Sequence, residues 1–463
     1  MKPLLTRIYD VLRSRRLAIA LLVTLAAWAG LATLVPQSGT SDSPPGGFAA
    51  KLASAVGLDR AFSAPVFLFL CALLFASTVA CSVERTRAAL KLARRAAFLS
   101  KGADAVRTLR ADFVLSTDLE RRAVLERIPR AFQRAGLRAR VVSDSAVYAT
   151  SSRLGLVGSP AFHWLLALLI ALIAAGQLTR AEGLMGVPVG SAQVDAKESY
   201  GVVSEGPLHA RFTSLVIAVP SLALSHVVDG IERGPAPYVE LRDGPYLLRA
   251  GYVYPNHPLR YKSLVIHANE HGLAIPVVAQ DGSGVDVLLD FDEESCVARS
   301  VSALEAGGPG GATRITFEVP LDTYRGQCVS AAPRDPRVVW RSTGPSGETS
   351  GTVRPGESFE PAPGVALSLG ALGYYARLSV VDDWSVYPIY AVFALATLAL
   401  AISVFLPYRE AVAVIEGSDH GCQVGVRVRH ARRDPGFGAR VRKRVEEIVL
   451  GAVEADRRSG DDD

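Results

Sequence analysis

The sequence predicts a membrane α-helical bundle of four spans, a large exported all-β domain and a small cytoplasmic α/β part. Three observations predict it. The apolar stretches Leu17–Val35, Pro65–Val83, Pro160–Leu178 and Val386–Leu406 each approach the roughly 20 residues that a bilayer-crossing helix needs. Lys and Arg gather in the segments around the ends of these stretches and thin out between the last two, and cationic loops are retained on the cytoplasmic side. The segment 179–385 then reads as repeated short β-type runs broken by Gly, Pro and Asp. With 49% hydrophobic residues over 463 positions, the chain is too apolar for an ordinary soluble enzyme. A small-molecule transporter is disfavoured too, because four spans with few polar residues offer no evident pathway.

The elements follow in order. Residues 1–35 hold a basic N-terminus (Lys2, Arg7, Arg13, Arg15, Arg16) and the first span. A cleaved signal peptide is the alternative there, but no small-x-small site follows and three further spans do. Residues 36–64 form a short outer loop with the turn-rich Pro44-Pro45-Gly46-Gly47, and 65–83 the second span. Residues 84–159 carry Arg85, Arg87, Lys91, Arg94, Arg95 and Lys101 and open as a basic helix through about Phe98. A small α/β unit follows. Its parts are a strand at Ala111–Leu115, an amphipathic helix from Asp118 to Ala135 with Asp118 as N-cap, and a hairpin from Arg138 to Tyr148 turned at Ser143-Asp144. The third span occupies 160–178, the exported domain 179–385 and the fourth span 386–406. The tail 407–463 pairs Ala411–Ile415 with Gln423–Val428 and ends in a basic helix from about Gly438 to Ala455. Arg427, Arg429, Arg432, Arg433, Arg440, Arg442, Lys443 and Arg444 make this tail cationic; such a helix can touch anionic membrane lipid, although a solvated face is commoner. Both termini are therefore expected in the cytoplasm, with 179–385 outside a bacterial cytoplasmic membrane. No nucleic-acid partner is expected.

Within 179–385, runs such as Phe212–Val219, Tyr238–Leu241, Leu264–Ala268, Val285–Leu289, Thr313–Val319 and Ala376–Val381 suggest a sandwich or barrel. Gly307–Gly311, interrupted only by Pro309, reads as a loop, since a phosphate cradle would need a following Lys-Ser/Thr and a helix. Asp290 and Asp292 sit among acids without Ca²⁺-loop spacing and read as an exposed turn. Cys71 and Cys81 lie in the second span and Cys422 in the tail. Cys296 and Cys328 are the only cysteines of the exported domain, where oxidation is permitted, so a disulfide and two free thiols both stay open. His209, His226, His257, His267 and His271 read as surface histidines; His267 and His271 are four apart, but in a β-type region. No nucleophile-base constellation is legible, so no catalytic residue is assigned.

The spans resemble those of the ResB-type (CcsB-type) proteins of the System II cytochrome c biogenesis pathway. The first carries Leu12-Arg13-Ser14 before the apolar run, then Gly30 and Thr33-Leu34-Val35-Pro36-Gln37. The second carries Phe62-Ser63, Phe67 and Cys81 followed by Arg85, with Ser77 where the family usually has Asn. The third carries Gly158-Ser159 and His163 and continues into Gly183 to Val189. Before the fourth, Asp382-Asp383-Trp384-Ser385 stands where the family shows Asp-Pro-Gly, so the acid is carried over to Asp382 or Asp383. The resemblance implies a non-catalytic subunit of a cytochrome c heme lyase. Its partners would be a ResC- or CcsA-type membrane protein and apocytochrome c, and it would help carry heme across the membrane for attachment at Cys-x-x-Cys-His. His163, the only imidazole in any span, is then the candidate heme axial ligand. Beside this stands the reading of His163 as a polar residue near the interface, with Trp164 as an interfacial belt residue. An alternative for the whole chain is a membrane-anchored sensor or scaffold with an exported binding domain.

Overall fold

The computed structural model describes residues 2–35, 55–58, 61, 64–99, 110–151, 153–308, 311–345, 347–418, 421–429, 434 and 436–450. The Pro44–Gly47 turn, Phe62-Ser63, Lys101, Pro309, Arg432, Arg433 and the end of the tail helix lie outside the described residues. The helices that carry the architecture are α1 (Lys2–Leu12), α2 (Arg15–Ala32), α3 (Pro65–Leu99), α4 (Arg121–Arg134), α5 (Leu154–Thr179), α6 (Val386–Phe405) and α7 (Phe437–Val449). Of these, α2, α3, α5 and α6 are long and apolar enough to cross a membrane. By its internal packing the chain divides near residues 174 and 387 into two compact units.

The first unit joins helices to an α/β sheet. Helix α3 has 35 residues and is about 50 Å long, so its apolar half and its basic half form one unbroken rod. Gly158 of α5 lets α6 come close: a Cβ there would lie 2.7 Å from the Ser403 amide nitrogen. The five-stranded antiparallel sheet has the order Phe113–Thr117, Gly421–Arg429, Glu410–Ser418, Ala146–Thr150, Arg138–Ser143. The two strands after α6 therefore enter side by side between strands from before α5, with Leu115 opposite Val424 and Val147 opposite Ala413. Val124, Ile128 and Phe132 of α4 and Phe437, Val441 and Val445 of α7 share one fully buried core with one face of this sheet. Their four-residue spacing puts each set on one helical stripe. The other face, with Tyr148 and Val412, covers Leu92 and Ala96 of α3. The expected cap of α4 is displaced: Glu120 holds the N-cap position and its side chain makes no capping bond. Thr117, two residues before Leu119, bonds that residue's amide instead and ends the strand.

The second unit is β-rich and has two cores strung on one strand. Leu264–Ala279 runs 16 residues and pairs with Gly373–Asp382, with a register shift between Ala268 and Glu270. Before the shift, Leu264 and Ile266 pack with Met185, Val187, Ile217, Val239 and Leu241 between the large sheet and a four-stranded sheet. After it, Leu273, Ile275 and Val277 pack with Phe317, Val319, Val338 and Trp340 in the second core. A bulge increases local twist, and here it coincides with the change of core. The Phe212–Val219 run is shifted to a strand at Val216–Ala223. Of the glycine run, Gly307 and Gly308 pair with Ala312 and Gly311, since Leu304–Gly308 pairs with Gly311–Pro320.

Candidate functional site in the third apolar helix

His163 lies in the third turn of α5 and is half-buried. Its Nδ1 is 2.8 Å from the Ser159 carbonyl oxygen. A carbonyl only accepts, so in the neutral ring Nδ1 carries the hydrogen and donates it, leaving Nε2 with its lone pair. That is the tautomer a metal-binding imidazole needs, with the other ring nitrogen held by a backbone carbonyl. The residue that holds the ring also reaches α3: Arg85 Nη1 donates to Ser159 Oγ at 3.5 Å. One residue beyond His163, Trp164 Nε1 donates to Thr86 Oγ1 at 3.1 Å, which ties the indole to α3.

Helix α3 also meets the end of α1. Ser77 Oγ donates to the Leu12 carbonyl at 2.7 Å, and Cys81 Sγ faces the Arg13 carbonyl at 3.8 Å. These carbonyls are orphaned at the end of α1, so Ser77 does a capping job there. Glu84 is shared by Arg13 at 3.5 Å, Arg87 at 3.7 Å and the Tyr9 hydroxyl at 3.3 Å.

Asp382 and Asp383 are not brought to His163 by any hydrogen bond among the described residues. Asp382 sits in the sheet opposite Ala181 and Leu264. Asp383 Oδ1 accepts from the Ser385 amide at 2.8 Å and its hydroxyl at 2.7 Å, a turn that opens α6. Trp384 Nε1 donates to Thr179 Oγ1 at 2.9 Å.

Three of the surface readings are corrected, since His209, His226 and His271 are all half-buried. His209 is half-buried, with Nδ1 3.1 Å from the Thr179 carbonyl and its ring edge-on to Phe212 at 5.0 Å. Its Nε2 is buried with no hydrogen-bond partner among the described residues. The Leu208 amide donates to Leu178 O at 2.8 Å and that of Gly206 to Arg180 O at 2.8 Å, so this loop, His209 included, caps the end of α5. His271 is half-buried too, 5.3 Å from Phe291, and burial pushes its pKa below the ordinary range. His226 stacks on Tyr252 at 4.3 Å and His257 on Tyr254 at 4.5 Å, while His267 is exposed.

Asp290 is not an exposed turn acid. It lies in the strand Gly284–Asp292 and accepts from the Tyr375 hydroxyl and the Arg377 guanidinium, which also meets Glu270 at 3.3 Å. Only the pairing of sequence-distant strands brings these groups together, so no local signal could have found them. Asp292 does sit at a turn, where it accepts from the Ser295 hydroxyl and amide. Cys296 and Cys328 are bonded through sulfur, with Cα atoms 5.4 Å apart at the edge of the second β core.

Four apolar helices, a two-piece α/β sheet and a large two-core β region define a multi-span membrane protein with one polar, metal-competent imidazole in a span. The chain belongs to the ResB-like family, whose profile matches residues 15–344. It is 24% identical over 408 residues to the cytochrome c biogenesis protein CcsB of Thermosynechococcus vestitus, covering 85% of this chain and 86% of that protein. Over a shorter stretch of 109 residues it is 35% identical to the chloroplastic cytochrome c biogenesis protein CCS1 of Arabidopsis thaliana, covering 21% of this chain and 20% of that one.

Proposed function

We propose that this chain is the heme-holding, non-catalytic subunit of a System II cytochrome c synthetase in a bacterial cytoplasmic membrane. It acts with a ResC- or CcsA-type membrane protein and presents heme to reduced apocytochrome c. The observation that carries the reading is the His163–Ser159 hydrogen bond, which leaves Nε2 as a free lone pair within an apolar helix. A neutral imidazole is an ordinary axial ligand for heme iron, so the donor present fits the group. The names of the relatives, both cytochrome c biogenesis proteins, support the same process. Nε2 of His163 would hold the group, which would supply the porphyrin to be joined to Cys-x-x-Cys-His. Ser159 orients the ring and fixes its tautomer. In this reading residues 84–159 and 407–463 are cytoplasmic, and 179–385 are exported and hold apocytochrome or the partner.

Two experiments test this. Reporter fusions after Lys101 and after Arg444 should read cytoplasmic, and one near Gly282 exported; an exported reading at Lys101 overturns the topology. The full chain, co-expressed with a ResC- or CcsA-type membrane protein in a host lacking its own cytochrome c synthetase, should co-purify with heme and restore covalent c-type cytochromes. Failure to do either, with both proteins present in the membrane, refutes the assignment.

A further inference from the structure

We propose that Arg85 is the carboxylate-holding half of the His163 site, its guanidinium taking a propionate of the porphyrin whose iron His163 ligates. This rests on the heme reading above and adds a second, chemically distinct contact. Ser159 links the two groups, since its carbonyl holds His163 and its hydroxyl meets Arg85. The cation therefore stands beside the turn that carries the imidazole.

The state of Arg85 sets it apart from its neighbours. Glu84, the acid next to it in α3, is engaged by Arg13, Arg87 and Tyr9. Among the described residues Arg85 has no carboxylate within ion-pair distance, and its hydrogen bond to a neutral hydroxyl at 3.5 Å is long. A guanidinium stays charged at any physiological pH and matches a carboxylate with two parallel N–H donors. The ligand class that fits is an amphiphile: an apolar disc with a metal for Nε2 and carboxylates along one edge for a cation. An apolar helix, a carbonyl-held imidazole and, on the adjacent helix, a guanidinium with no carboxylate partner among the described residues supply the complementary set. The competing oxyanion is a lipid phosphate reached by a snorkelling side chain, and esterification of the porphyrin separates the two.

The test uses the detergent-purified full chain, titrated with hemin and with hemin dimethyl ester, whose propionates are neutral. Arg85→Gln should weaken hemin binding about tenfold and leave ester binding within about twofold, the range expected for a lost charged hydrogen bond. Arg85→Lys should fall between, keeping the charge and losing the fork. The axial-ligand spectrum of bound hemin should be unchanged in both, whereas His163→Ala should alter it for both porphyrins. Equal weakening of hemin and ester in Arg85→Gln, or no weakening of either, overturns the proposal and leaves Arg85 as a lipid-phosphate or structural contact. Should Arg85→Gln not insert stably, Ser159→Ala carries the test: it removes the hydroxyl anchor and keeps the carbonyl, and should lower hemin affinity more than ester affinity. An equal or absent effect there also overturns the proposal. If instead His163→Ala leaves both spectra as in the parent chain, the heme reading itself fails, independently of Arg85.

Discussion

Asp290 and His163 both lie on regular elements, half-buried, beside an arginine, and they differ in how fully their polar atoms are used. Asp290 receives the Tyr375 hydroxyl and Arg377, and Arg377 also donates through Nη1 to Glu270. Glu410 is a second closed case: 2% exposed, it accepts from the Tyr408 hydroxyl at 2.9 Å and that of Tyr148 at 3.3 Å and faces Arg95 at 3.6 Å. Burial, and the Glu410 carboxylate beside it, push the Tyr408 phenol up to about 12. At His163 the ring uses one nitrogen on a carbonyl, and Arg85 has a hydroxyl in place of an acid. A polar cluster that satisfies itself stabilises a fold, and one left open is available to a ligand. Substitutions in the closed clusters should cost stability without changing heme binding, and those at the open one should do the reverse.

The largest stability effect is expected at the disulfide, which is closed in the covalent sense. With a sequence separation of 32, Cys296→Ser with Cys328→Ser should cost about 3.7 kcal/mol by loop entropy. A non-reducing peptide map should show the linked pair, and free thiols in material kept from reductant would contradict it. Next, Glu410→Ala should cost about 3 kcal/mol, since it leaves Arg95 and two buried phenols without their acceptor. Asp290→Ala should cost about 2 kcal/mol, less because its pair is partly solvated. Denaturation of the purified chain measures each one, and hemin affinity should stay within about twofold of the parent. A large loss of hemin binding in either variant would break the comparison.

The smallest effect concerns pH. Burial lowers the folded-state pKa of His271, so the unfolded chain protonates first as pH falls. The stability contributed by the neutral ring is full above the unfolded value of about 6.5, is lost as pH drops through it, and levels off below the folded value. The melting temperature should fall from pH 8 to pH 5, less steeply in His271→Gln. An unchanged slope would show that other groups govern it.

Much of this was legible in the sequence. The spans were, because a continuous apolar run of bilayer length has few other uses, and so was the place of His163 within the third of them, though not its role. The two-piece α/β sheet was not: Ala411–Ile415 and Gln423–Val428 read as a hairpin, yet nothing local tells that they enter between strands from before α5. Leu264–Ala268 looked like a short strand because His267, Asn269, Glu270 and His271 interrupt its apolar pattern, where the register shift lets the strand continue. His209 looked like a surface residue because its partner, the Thr179 carbonyl, lies 30 positions away.

His209 supplies the sharpest control for the central claim, since its Nδ1 also meets a carbonyl and its Nε2 is buried without a partner among the described residues. The decisive measurement is the reduced and oxidised absorption spectrum of hemin bound to the purified full chain, in the parent, His163→Ala and His209→Ala forms. The account predicts a six-coordinate, low-spin spectrum or a defined five-coordinate histidine spectrum in the parent and in His209→Ala. That spectrum should be lost in His163→Ala and return when free imidazole is added. A parent-like spectrum in His163→Ala, or its loss in His209→Ala alone, would contradict the assignment of His163 as the heme ligand.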